Sequence, residues 1–130
     1  AAGLSALLLA LGLIAAAAPE AAVAAERLAG SGWQRPGAPQ YHLSFGGDGR
    51  VAGRSGCNRF AGTYRARRGR LDIGRLMSTR MACAPAVMRG ERRFLGALRS
   101  SRFYRLSASG LVLAGASGAP LLRLVPDRRR

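Results

Sequence analysis

The chain has 130 residues, 48% of them hydrophobic and 21% charged, which suits one folded domain with at most a short extra segment and excludes a disordered chain. Its 21 basic residues face 6 acidic ones, a formal net charge of +15, and every base is arginine. The absence of lysine excludes Schiff-base nucleophiles, the phosphate lysine of a P-loop and Ser-Lys catalysis together.

Residues 1–18, AAGLSALLLALGLIAAAA, are uncharged, and the stretch from Leu4 to Ile14 has the length of a signal-peptide core, about 7–15 residues. Ala22-Val23-Ala24 fits the A-x-A pattern of a cleavage site. Residues 1–24 therefore read as a signal peptide entered part-way, because the usual Met and basic segment are missing. Uncleaved, the same stretch would serve as an N-terminal membrane anchor, since about 18 apolar residues approach spanning length. Cleavage leaves one domain over residues 25–130, periplasmic or secreted, with no cysteine at the boundary for lipid attachment.

Residues 28–40, rich in Gly and Pro around Trp33, predict an entry loop or a short edge strand. Tyr41 to Phe45 alternates apolar and polar, the period of a half-buried strand. Gly46-Gly47-Asp48-Gly49 then turns the chain, and Arg50 to Ser55 returns as the partner strand. A second hairpin pairs Phe60–Arg65 with Arg70–Ile73 through a turn at Arg67-Arg68-Gly69. A short strand is expected over Leu76–Thr79. Pro85 opens a helix that runs to about Arg99, with Val87, Met88, Phe94, Leu95 and Leu98 on one face. Short strands follow at Phe103–Leu106, Leu111–Ala114 and Leu121–Val125, and the Arg128–Arg130 tail is expected to fray.

Two segments carry a more specific signal. Gly56-Cys57-Asn58-Arg59-Phe60 with Gly62, followed by Thr79-Arg80-Met81 and Cys83, then by Glu91 and Phe94, resembles the META domain, the family of HslJ-like heat-shock and envelope proteins. The likeness covers roughly residues 30–126. It implies an α+β, mostly β fold, a small antiparallel barrel-like sheet wrapped around one amphipathic helix. It also implies an envelope location and a binding or stress-tolerance role without catalytic residues.

Cys57 and Cys83 are the only cysteines, and their count fits one disulfide in an oxidising compartment. Two buried thiols, a metal pair completed by His42 and a reactive thiol are the alternatives; three scattered ligands make a thin zinc site. Glu91, the one acid of the helix, falls about 40° from Val87 on its apolar face at about 100° per residue. A buried carboxylate needs a partner, and Arg59 or Arg80 is expected to supply it as a buried ion pair.

No nucleotide-binding glycine motif occurs, no nucleophile, base and orienter assemble, and no cofactor or metal is called for. The expected function is non-enzymatic binding, with a lipid-like or other apolar ligand on the curved sheet and the arginine exterior against an anionic membrane surface. Arg65, Arg67, Arg68 and Arg70 beside Tyr64 also suit a nucleic-acid-binding module, but export separates the chain from that polymer. A monomer is the expected state. A coding bias towards arginine accounts for the charge more readily than a polyanionic partner does.

Overall fold

The computed structural model describes residues 28–127, together with Gly12. Apart from that glycine, the signal-peptide, cleavage and anchor expectations fall outside the described residues, as does the Arg128–Arg130 tail. No helix among the described residues is long and apolar enough to cross a membrane.

The described strands are β1 (Ser31–Arg35), β2 (Ala38–Phe45), β3 (Arg50–Ser55), β4 (Arg59–Arg67), β5 (Arg70–Ile73), β6 (Met77–Ser78), β7 (Phe103–Ser107), β8 (Gly110–Ala114) and β9 (Pro120–Pro126). The helix α1 spans Pro85–Ser100 between β6 and β7. The strands lie in the order β3-β2-β1-β9-β8-β7-β5-β4, and β4 pairs back onto β3, so the antiparallel sheet closes as a ring. β6 pairs with Phe60 and Ala61 of β4.

Alternation explains which face is inside. Tyr41, Leu43 and Phe45 of β2, Phe60 and Tyr64 of β4, and Leu71 and Ile73 of β5 are buried, each separated from the next by outward positions. Burying each large apolar side chain contributes about 1.5–3 kcal/mol. The turn after β2 uses Gly49 at φ 81°, and the Arg50 N–H donates to Asp48 Oδ1 at 3.1 Å.

The segment around Trp33 departs from the sequence expectation. β1 is paired on both sides, with β2 and with β9, and Trp33 is buried. Ring closure is the reason: it turns an edge into an interior position, a long-range effect that local composition does not report. Two joints of the ring are narrow. β1 and β9 share the pairs Trp33–Pro126 and Gln34–Val125, and β5 meets β7 at the single pair Arg70–Phe103.

α1 begins at Pro85 with no side-chain cap. It ends where the Ser101 hydroxyl donates to the Ala97 carbonyl at 2.8 Å and Arg102 Nη1 donates to the Arg99 carbonyl at 2.9 Å. Its buried residues are Gly90, Glu91, Phe94, Leu95 and Leu98. The apolar face thus starts one turn later than expected, since Val87 is exposed and Met88 half-buried. The first turn stays exposed, while Phe94 reaches Tyr41 and Phe60 at ring-centroid distances of 5.4 and 6.1 Å.

The contrast between the helix start and the core sets an expectation. Leu113→Ala, at a fully buried site, should cost about 2–5 kcal/mol in urea unfolding followed by circular dichroism. Val87→Ala should stay within about 0.5 kcal/mol.

Candidate functional site

The two motif segments, distant in sequence, meet at the buried end of Glu91. Glu91 is 5% exposed, and Oε1 accepts from the Ser55 hydroxyl at 2.7 Å and from the Asn58 N–H at 2.7 Å. Oε2 accepts from Asn58 Nδ2 at 2.8 Å. Burial opposes ionisation of this carboxyl. The Asn58 side chain, the Ser55 hydroxyl and the N–H groups of Asn58 and Cys57 outweigh that opposition and hold its pKa below the ordinary value.

The sequence placed Glu91 in the core correctly but assigned it the wrong partner. Its acceptors are filled by neutral donors, and Arg59 and Arg80 are both exposed. A compact amide on the adjoining loop meets the carboxylate without the desolvation that a guanidinium would add.

Asn58 is the hub. Besides Glu91, its Nδ2 donates to the Met81 carbonyl at 3.2 Å, while Oδ1 accepts from the Thr79 hydroxyl at 2.8 Å and the Met81 N–H at 2.7 Å. Every hydrogen-bonding position of the amide is used. Asn58 therefore stands in for a strand partner along residues 79–81, where the chain leaves β6 without regular structure. Thr79 also accepts from the Arg59 N–H at 3.1 Å.

The neighbouring motif residues complete the knot. Cys57 and Cys83 form a disulfide with a Cα–Cα distance of 6.1 Å, so neither sulfur is free as a thiolate ligand or nucleophile. Gly56 sits at φ +94°, and a Cβ there would meet the Tyr41 ring at 3.1 Å. Phe60 is core, a Cβ at Gly62 would meet the Arg75 carbonyl oxygen at 2.8 Å, and the Met81 side chain is 53% exposed while its backbone is held. Ser55 was missed by sequence reasoning. Its signal was a polar residue at an inward position of β3, in register with Tyr41.

A second locus lies on the outer face at the narrow β5–β7 joint. A groove of about 440 Å³ is lined by Arg65, Arg67, Arg70, Arg102 and Phe103, with Asp72 as its acid. In register, Arg65 stands opposite Asp72, whereas Arg67 stands opposite Arg70. The hairpin between them turns on Arg68 and Gly69, at φ 51° and 79°, the two left-handed positions of a type I′ turn. Such a position favours Asn or Gly, and another side chain there costs roughly 1–2 kcal/mol. Tyr64 does not belong to this cluster: it is buried against Phe45 at 4.9 Å, and its hydroxyl donates to the Gly46 carbonyl at 2.6 Å. The exposed aromatic ring of the face is Phe103, 36% exposed.

A family model described as META domain matches residues 22–128. A protein from Burkholderia xenovorans with an NMR structure is 27% identical, covering 88% of this chain and 94% of its own, with a TM-score of 0.66. A second NMR structure is also 27% identical, covering 75% of this chain and 89% of its own, with a TM-score of 0.56. No curated protein matches the chain.

Two stability measurements test the knot. Folding favours the ionised form of Glu91, so unfolding restores its ordinary pKa of 4.5 and takes up a proton. Stability is then complete above about pH 4.5 and lost as pH falls through the lower folded value. Glu91→Gln should flatten this acid limb and lower stability at neutral pH, where its amide NH₂ opposes a donor. Reducing and alkylating the Cys57–Cys83 bond, which spans 26 residues, should cost about 3.5 kcal/mol by the chain-entropy estimate, read in urea.

Proposed function

The chain belongs to the META domain family, and from that premise we propose that it is a non-enzymatic binding protein of the cell envelope, seated on anionic lipid surfaces. The observation that carries the reading is the uncompensated arginine face at the β5–β7 joint, where four guanidinium-bearing residues and an exposed Phe103 share a groove with one acid. Basic side chains near an anionic leaflet contribute about 1 kcal/mol each, and an aromatic ring at headgroup depth adds apolar contact.

Other observations support it. The signal-peptide character of residues 1–24 argues for export, periplasmic or secreted, or for anchoring if the leader is retained. A disulfide is compatible with an oxidising compartment. The ring interior is filled by Phe45, Leu43, Leu111, Leu113 and Leu124, so an apolar ligand would meet the outer surface. A contribution to stress tolerance fits a protein that holds to the membrane by charge.

Sedimentation of the full chain with vesicles tests the reading. Binding to phosphatidylglycerol vesicles at low salt should exceed binding to phosphatidylcholine vesicles at least tenfold and weaken as salt rises. The apolar leader can enter both lipids, so the difference between them reports the charge. Equal binding to the two would refute the proposal.

A further inference from the structure

The lipid-surface reading leaves open which headgroup chemistry the arginine groove would select. Three observations narrow it. Arg67 and Arg70 are directly opposed across an antiparallel pair, an arrangement in which like charges repel. Asp72, the acid of the groove, stands opposite Arg65 and so lies two pairs along from them, with Ala66–Leu71 between. Arg68, at the tip of the same hairpin, occupies a left-handed position that suits glycine or asparagine. A hairpin that keeps arginine at three of its four tip positions against local preference has the mark of a site rather than of a fold requirement.

The groove also has a fixed wall and an apolar one. Arg102 Nη1 donates to the Arg99 and Ser101 carbonyls, both at 2.9 Å, which anchors one edge of that guanidinium at the rim. Phe103, in register with Arg70, presents its partly exposed ring beside it. Guanidinium groups carried by two directly opposed residues offer paired donors to one tetrahedral anion. A phosphomonoester, with three free oxygens and up to two charges, serves both; a phosphodiester offers two oxygens and one charge.

We propose that the groove between Arg67, Arg70 and Arg102 is a binding site for the phosphomonoester headgroup of a membrane lipid, with Phe103 resting on the adjoining glycerol and acyl region. This rests on the lipid-surface reading above and adds the selectivity and its place.

The test compares full-chain variants on vesicles of phosphatidic acid and of phosphatidylglycerol at matched surface charge. The parent chain should bind phosphatidic acid several-fold more tightly. Arg67→Ala/Arg70→Ala should lose that preference and bind about thirtyfold more weakly, at about fivefold per arginine at an anionic surface. Arg89→Ala/Arg92→Ala, on the exposed face of α1, removes equal charge and should keep the preference. All four residues are exposed, and unchanged circular dichroism checks the fold of each variant.

No preference in the parent, or equal losses in the two double variants, would overturn the site while leaving charge-driven attachment standing. Equal binding to charged and neutral vesicles would instead overturn the underlying reading. Phe103→Ser should weaken vesicle binding several-fold and leave binding of soluble glycerol phosphate unchanged; no effect on vesicles would overturn the lipid source in favour of a soluble phosphate. Tighter binding to a single-stranded oligonucleotide than to vesicles, lost in Arg67→Ala/Arg70→Ala, would reassign the groove to nucleic acid.

Discussion

A carboxylate buried on the inner face of a helix constrains its surroundings. Glu91 must find donors or take up a proton, because an unpaired charge in an apolar interior is among the costliest arrangements a domain can hold. Ser55, Asn58 and the backbone around Cys57 meet that demand. Hydrogen bonds to a charged group contribute about 1.5–3 kcal/mol each, enough to keep the carboxyl ionised against its burial. The helix is thereby pinned to the loop after β3, and through Asn58 to residues 79–81.

The disulfide acts on the same segments. Cys57 lies between Gly56 and Asn58, and Cys83 lies just beyond the residues that Asn58 holds, so covalent and polar links tie one loop to the other. Their division of labour is physical. The cross-link limits the unfolded chain, whereas the hydrogen bonds set geometry in the folded one. Gly56 is part of the arrangement because its left-handed backbone turns the chain under the Tyr41 ring, where a side chain would collide.

Neutral donors at Glu91 have a consequence elsewhere. An arginine used inside would have left less charge outside; here Arg59 and Arg80 stay in solvent, as do the arginines of the β4–β5 hairpin. Ring closure then decides where those charges gather. β5 is four residues long and meets β7 at a single pair, and this thin joint opens the outer groove beside Phe103. Fold economy at one seam and charge excess in the chain thus coincide at the same surface.

Much of the architecture was legible in the residues. Period-two alternation at Tyr41–Phe45, glycine turns after Phe45 and Arg68, and Pro85 ahead of an apolar helical stripe are local signals, and strands and helix formed where they pointed. The position of Glu91 on the inward helix face followed from the same periodicity. The central place of β1 did not, because pairing on both sides depends on β9, which lies some ninety residues downstream in the chain. Nor did the partner of Glu91: the sequence determined that a buried carboxylate needed donors, but their identity was a matter of distance. Only the tertiary structure brought Ser55 and Asn58 to that carboxylate, turned Tyr64 inward and left Phe103 beside the arginines, because contacts between remote segments are set by closure of the sheet and not by neighbours along the chain.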